Sequence, residues 1–207
     1  TQKSLNLAAN QINDNGGINN SKIKLIYEDS KCDPKTGVTS LKKFNSIDNI
    51  PIVVGTICSS VTLAMGPIVQ ENNSLIISSG ASNPKIADYS NIFRTWPSDT
   101  LQGKILAKFV KQSLHLDEVA IIYINNDYGV GVKDVFKKHF IEQGGKILIE
   151  ESVPESVIDA KTQITKIKSK NPKGVFIATY GKEMGTILKQ AKELGLSSQF
   201  FGGDVVG

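Results

Sequence analysis

The feature that most restricts the fold of this chain is a repeated alternation of short apolar runs with segments of helical periodicity. The apolar runs are rich in β-branched residues, which is typical of strands buried in a parallel sheet. Parallel strands need a crossover connection, and that connection is usually a helix. The alternation therefore predicts an α/β fold with parallel sheets and right-handed crossovers.

The alternation runs through the chain twice. In the first half, the pattern predicts helices at residues 4–13, 35–48, 62–71 and 100–112, and strands at residues 22–29, 51–54, 75–77 and 92–96. In the second half, it predicts strands at residues 119–124, 146–150, 174–178 and 199–201, and helices at residues 129–143, 158–169 and 182–194. The polar stretch before Val119 separates the halves, so we predict two Rossmann-like lobes, at residues 1–116 and 117–207.

Two predicted strands of the first half end in small and hydroxyl residues. The strand at 51–54 is followed by Ser59 and Ser60 at the start of a helix, and the strand at 75–77 is followed by residues 78–82, Ser-Ser-Gly-Ala-Ser. A helix start offers free N–H groups and a positive dipole end, so it favours an anion. Serines there are also common N-caps, and that alternative stays open. Because ligands of open α/β sheets bind at the carboxyl ends of strands, these two junctions predict a polar small-molecule site.

Strand ends of the second half carry aromatic and acidic residues. Tyr128 and Tyr180 each stand near a predicted helix start, and Asp204 follows a Gly-Gly pair after the last strand. Either tyrosine can contact a ligand or can be an ordinary exposed residue of an amphipathic helix. Asp204 can equally be the N-cap of a following helix.

Composition excludes several function classes. The net charge is +4, but the lysines are scattered along helices and are not grouped with aromatic residues, which argues against nucleic-acid binding. The sequence has no apolar run long enough to cross a bilayer and no Cys/His metal pattern. It also lacks a plausible nucleophile-and-base set at strand ends, so we expect no catalysis, no metal and no cofactor.

The chain contains two cysteines, Cys32 and Cys58, each at the end of a predicted strand. They are either free buried thiols or a disulfide. A disulfide would contribute about 3 kcal/mol for a loop of this length, and it would indicate an oxidising compartment.

Several motifs together resemble one known family, the periplasmic leucine/isoleucine/valine-binding proteins, which are the type I solute-binding proteins of ABC importers. The motifs are NGGIN at 15–19, YEDSKCDPK at 27–35, VVGTICSS at 53–60, SSGASNP at 78–84, NDYGVG at 126–131, YGKEMG at 180–185 and QFFGGD at 199–204. They cover nearly the whole chain in the family's order. The resemblance implies the type I periplasmic binding protein fold, and it implies that Cys32 and Cys58 form a disulfide.

The resemblance also implies a set of ligand-binding residues, since the family binds an amino acid in the cleft between two lobes. Ser59 resembles the hydroxyl that holds the ligand carboxylate, and Gly80, Ala81 and Ser82 resemble groups that meet the zwitterion. Ile57 and Cys58 match family positions beside the ligand side chain, and Tyr128 and Tyr180 resemble residues of the cleft. Asp204 matches the position of an acidic residue that faces the ligand ammonium. The family's acidic residue is usually one carbon longer than Asp204.

From the resemblance we expect an exported, periplasmic or extracellular protein that binds a branched-chain or other aliphatic amino acid and delivers it to the membrane permease of an ABC importer. The alternative is a sensory or amide-binding domain of the same fold. Compared with the family, this sequence lacks a first strand, a C-terminal portion and an export signal, so we expect it to be an incomplete fragment.

Overall fold

A computed structural model of the chain describes residues 2–203. Contacts between residues divide it into two compact units. Unit 1 comprises the residues up to Ala81 together with Ala87–Trp96, and unit 2 comprises Ser82–Ile86 together with the chain from Pro97 onward. Each unit is an α/β structure with a parallel sheet, as the sequence predicts.

Unit 1 contains a three-stranded parallel sheet in the order β1-β2-β3. Its elements are the helices α1 (Gln2–Asp14), α2 (Pro34–Ser46) and α3 (Ser59–Glu71) and the strands β1 (Ile52–Val54), β2 (Leu75–Ser78) and β3 (Ile92–Arg94). Helix α2 begins after Asp33, whose carboxylate accepts the N–H of Thr36 at 2.7 Å. The buried core consists mainly of residues from α2, α3 and β2: Leu41, Phe44, Val61, Met65, Val69 and Ile76.

The strand predicted at residues 22–29 is wrong, because this segment forms no strand in the structure. Its alternation of apolar and polar residues is genuine, but a strand also needs a paired neighbour. The Asn13 side chain instead binds both the N–H and the carbonyl of Ile23, at 2.6 and 2.9 Å. A cavity of about 230 Å³ borders both residues 24–28 and β1.

Unit 2 contains a four-stranded parallel sheet in the order β5-β4-β6-β7. Its strands are β4 (Glu118–Ile124), β5 (Lys146–Val153), β6 (Gly174–Ala178) and β7 (Gln199–Gly202), and its helices are α4 (Asp99–Gln112), α5 (Asp127–Glu142), α6 (Lys161–Ser169) and α7 (Gly181–Glu193). Alternate residues of β4 and β6 enter two different cores. Ala120 and Ile122 join the core with α6 and α7, whereas Val119 and Ile121 join the core with α4 and α5.

The boundary between the units lies at a different place from the predicted one at residues 116 and 117. Helix α4 belongs to unit 2, since its Ala107 and Val110 share a core with Val132 and Phe136 of α5. Helix α6 also begins later than predicted, at Lys161, and the Asp159 carboxylate accepts the Lys161 N–H at 3.0 Å. Within residues 2–203, no helix is long and apolar enough to cross a membrane.

Candidate functional site

The carboxyl ends of β1 and β2 are joined by a network of hydroxyl groups in unit 1. The Ser78 hydroxyl donates to the carbonyl of Thr56 at 2.6 Å and accepts the N–H of Ala81 at 3.1 Å. The hydroxyls of Thr56 and Thr62 are 2.7 Å apart, which ties the strand end to helix α3. Ser78 lies in the junction at residues 78–82 that the sequence predicts, whereas Thr56 and Thr62 were not predicted as site residues, although both are small hydroxyl residues beside a strand end.

The residues that follow these two strands come together, as their positions at adjacent strand ends predict. Gly80 lies against Ile57, because a Cβ atom built on Gly80 would be 3.1 Å from the Ile57 Cβ. Ile57 is 58% exposed, whereas Ala81 and Cys58 are buried. Of these residues, Ile57 therefore presents the accessible apolar side chain.

Cys58 and Ser59 begin helix α3. Cys58 occupies the N-cap with extended backbone angles and no side-chain capping bond, so the alternative in which Ser59 or Ser60 is the N-cap is wrong. Ser59 stands in the first turn, and its side chain is buried. An N-cap without a side-chain acceptor leaves backbone N–H groups of the first turn for other partners.

A disulfide joins Cys32 to Cys58, with their Cα atoms 5.6 Å apart. The pairing that the resemblance implied is thereby confirmed, and the free-thiol alternative is wrong. The bond connects the turn before α2 to the start of α3, so it fixes the first turn of α3 in which Ser59 lies.

In unit 2, Tyr128 and Tyr180 form a stacked pair. Their ring centroids are 5.0 Å apart and their planes differ by 12°. Tyr128 lies in the first turn of α5 and is buried, so the alternative of an exposed surface tyrosine is wrong for it. Tyr180 is the N-cap residue of α7, where its carbonyl accepts the N–H of Met184.

The Tyr180 phenol lies in an environment that keeps it protonated. The pKa of Tyr180 is raised to about 12, chiefly by burial. A hydrogen bond with the Asn126 side chain opposes the shift, and the nearby carboxylates of Glu155, Glu183 and Asp99 add to it. A phenol with this pKa is neutral near pH 7, so its hydroxyl can donate a hydrogen bond to a carboxylate or a carbonyl.

Ser82 and its neighbour Asn83 belong to unit 2, whereas Gly80 and Ala81 belong to unit 1. The Ser82 carbonyl accepts the N–H of Asp99 at 2.9 Å, and the Asn83 amide donates to the Asp127 carbonyl at 2.5 Å. Both Ser82 and Asn83 are buried. These bonds attach the segment to the starts of α4 and α5, close in sequence to Tyr128.

Asp204, which we predicted from the resemblance, lies outside the described residues. Asn126, Glu155 and Glu183 were not selected from the sequence, although each carries a polar group close to Tyr180. Only the tertiary fold reveals them, since they come from three separate segments. Across residues 2–203, no group of three His, Cys, Asp or Glu side chains is arranged to hold a metal ion.

Comparisons with known proteins all find similarity to periplasmic or amino-acid-binding proteins. A family model described as a periplasmic binding protein matches residues 1–205. The leucine-, isoleucine-, valine-, threonine- and alanine-binding protein of Pseudomonas aeruginosa is 32% identical to this chain over 203 residues, which are 97% of this chain and 54% of that protein. The leucine-specific-binding protein of Salmonella typhimurium is 32% identical over 202 residues, covering 97% of this chain and 54% of that protein.

A solved structure gives the same agreement at the level of the fold. The branched-chain amino acid transporter substrate-binding protein LivJ from Streptococcus pneumoniae, in complex with isoleucine, superimposes with a TM-score of 0.86 at 25% identity. The match covers 97% of this chain and 57% of that one. The chain thus spans about half the length of the curated relatives and of this structural neighbour.

Proposed function

The chain belongs to the periplasmic binding protein family, and from this premise we propose that it is part of an extracytoplasmic solute-binding protein of an ABC importer. Its ligand is an amino acid, branched-chain or similarly small and aliphatic. Its macromolecular partner is the membrane permease of that importer, and it catalyses no reaction. The observation that carries the proposal is the 32% identity, over nearly the whole chain, to relatives named for binding such amino acids.

The chemistry of the strand ends supports a zwitterionic ligand. A carboxylate needs N–H and hydroxyl donors, and the start of α3 with Ser59 supplies donors of this kind. Gly80, Ala81 and Ser82 follow β2, next to the hydroxyl network of Ser78. We propose that these groups bind the two charged ends of the amino acid.

The tyrosine pair of unit 2 supports the same ligand. Tyr180 keeps its proton at neutral pH, so it is suited to donate to the ligand carboxylate. Tyr128 stacks against Tyr180 and holds its ring in place. We assign the ligand ammonium to Asp204 by resemblance, because a primary ammonium needs a carboxylate acceptor.

The proposed side-chain preference depends on Ile57 and Cys58. Both follow β1, and the exposed Ile57 offers an apolar surface for an aliphatic side chain. A charged ligand side chain would lose its hydration at such a surface, so we expect polar amino acids to bind more weakly.

Calorimetric titration of the full-length protein with each common amino acid tests the proposal. We expect saturable binding of leucine, isoleucine or valine, and much weaker binding of aspartate, lysine and free amides. Binding only of polar amino acids, aromatic amino acids or amides would contradict the substrate class. Turnover of any of these compounds would contradict the assignment as a binding protein.

A further inference from the structure

The loop between β5 and α6, residues 154–160, has an unusual backbone. Ser156 has a φ of 57°, in the left-handed region that non-glycine residues seldom adopt. A residue keeps this conformation only where surrounding contacts hold it. The β5–α6 loop must therefore be held by specific partners.

Helix α7 supplies those partners from one of its faces. Glu183 and Gln190 are buried polar residues whose spacing puts them on the same side of the helix. One Glu183 carboxylate oxygen accepts the N–H of Ser156 at 3.0 Å. The Gln190 amide accepts the N–H of Ala160 at 2.7 Å and donates to the carbonyl of Ile158 at 3.0 Å.

Apolar contacts support the same attachment. Val157 and Ala160 are buried in the core that contains Met184 and Ile187 of α7. Apolar residues alone would fill this space, but they would not select one backbone conformation. Hydrogen bonds to buried polar side chains do select one backbone conformation, because any other conformation would leave a buried polar group without its partner.

The β5–α6 loop in turn contacts the groups around Tyr180. Its Glu155 carboxylate accepts the Asn126 amide at 2.6 Å. Asn126 caps α5 by accepting the N–H of Gly129 at 3.0 Å, and its side chain also forms a hydrogen bond with Tyr180. The loop, the start of α5 and the phenol are therefore connected through Asn126.

We infer that Glu183 and Gln190 are positioning residues of the binding site: they fix the β5–α6 loop so that Glu155 and Asn126 orient the Tyr180 hydroxyl. Neither residue is assigned a contact with the ligand. Their relevance to affinity rests on the proposed function, whereas their effect on Tyr180 does not.

The test compares four variants of the full-length protein: Glu183→Ala, Glu183→Gln, Gln190→Ala and the control Glu193→Gln, whose side chain is exposed on the same helix. Glu183→Gln keeps an oxygen that can accept the Ser156 N–H and removes the charge. Hydrogen exchange of the Ser156 and Ala160 amides reports on the loop. Carbon NMR of ring-labelled tyrosine reports on Tyr180, and Tyr180→Phe identifies its signal.

In the protein without ligand, we expect Glu183→Ala to speed exchange of the Ser156 amide about tenfold or more, and Glu183→Gln to restore most of the protection. Gln190→Ala should speed exchange at Ala160 and shift the Tyr180 signal, although Gln190 carries no charge and contacts the loop rather than the phenol. A purely local structural role would leave the Tyr180 signal unchanged. Glu193→Gln should change neither observable.

Affinity for the amino acid provides the last comparison. We expect Gln190→Ala to raise the Kd about three- to tenfold while thermal unfolding stays cooperative. An unchanged Tyr180 signal in Gln190→Ala would overturn the inference even if the wild-type protein binds leucine. A shifted signal in a protein that binds no amino acid would support the positioning role and contradict the proposed function instead.

Discussion

The rings of Tyr128 and Tyr180 lie nearly parallel, with centroids 5.0 Å apart, although the two residues come from different helices of unit 2. Stacked aromatic pairs contribute about 0.5–1.5 kcal/mol beyond the area they bury. The two rings contact each other through their faces, so the stack does not depend on the Tyr180 hydroxyl. Ring and hydroxyl can therefore be tested separately.

Tyr180→Phe should weaken amino acid binding while the protein stays folded. The substitution preserves the ring stack and removes the neutral hydroxyl that we propose as a donor to the ligand carboxylate. A hydrogen bond to a charged group contributes about 1.5–3 kcal/mol, so we expect the Kd to rise at least tenfold. Calorimetry measures the change, with Tyr123→Phe, a change of the same kind in β4, as the control. Unchanged affinity would remove Tyr180 from the site.

The raised pKa of Tyr180 predicts a loss of stability in alkaline solution. Below pH 10 the phenol is protonated in both the folded and the unfolded chain. Between the ordinary pKa of 10.0 and the folded value of about 12, the unfolded chain releases this proton while the folded chain keeps it. The free energy of unfolding should therefore fall across this window, by roughly 2 kcal/mol from this residue.

Urea unfolding at a series of pH values measures this effect. Tyr180→Phe should reduce the decline between pH 10 and 12, since phenylalanine does not titrate. An equal decline in Tyr180→Phe and wild type would show that burial of Tyr180 is not its cause.

Local patterns in the sequence predicted most of the fold, because strand and helix periodicity depends on neighbouring residues. The segment at residues 22–29 shows where this reasoning fails: its alternation fits a strand, but it has no paired neighbour, and Asn13 binds the N–H and the carbonyl of Ile23. For Tyr128 the sequence leaves exposure and burial open, because its burial depends on contacts with residues far away in the sequence, Tyr180 among them. Glu183 was missed for the same reason.

The Cys32–Cys58 disulfide should contribute measurably to stability. Linking these positions reduces the conformational entropy of the unfolded chain, which corresponds to about 3 kcal/mol for a loop of this length. Replacing both cysteines with serine should lower the free energy of unfolding by that amount in urea. Reductant should lower the stability of the wild-type protein and leave the double variant unchanged. A reductant-insensitive wild type would contradict the bond.

The assignment of the ligand ammonium to Asp204 predicts a charge-specific loss of affinity. Asp204→Asn keeps the size of the side chain and removes its negative charge. The Kd for a bound amino acid should rise about tenfold or more, since charge-assisted bonds contribute about 1.5–3 kcal/mol. Asp88→Asn, at an exposed position, is the matched control. Calorimetry showing equal affinity for both variants would assign the ammonium elsewhere.

Two helical glycines of unit 2 should respond in opposite directions to alanine. A Cβ atom on Gly129 would lie 2.1 Å from the Ile124 carbonyl oxygen, which belongs to the backbone and cannot move aside easily. A Cβ atom on Gly185 would meet nothing within 4 Å. Gly129→Ala should therefore destabilise the protein by at least about 1–3 kcal/mol, the usual cost of overpacking.

Gly185→Ala should stabilise the protein instead, by about 0.5–1 kcal/mol, since alanine loses less conformational entropy than glycine in a helix. Both changes add one methyl group, so each variant controls for the other. Urea unfolding of the pair gives the comparison directly. Because Gly129 stands in the first turn of α5 beside Tyr128, Gly129→Ala should also weaken ligand binding, while Gly185→Ala should not. Equal stability of the two variants would mean that α5 can move away from β4.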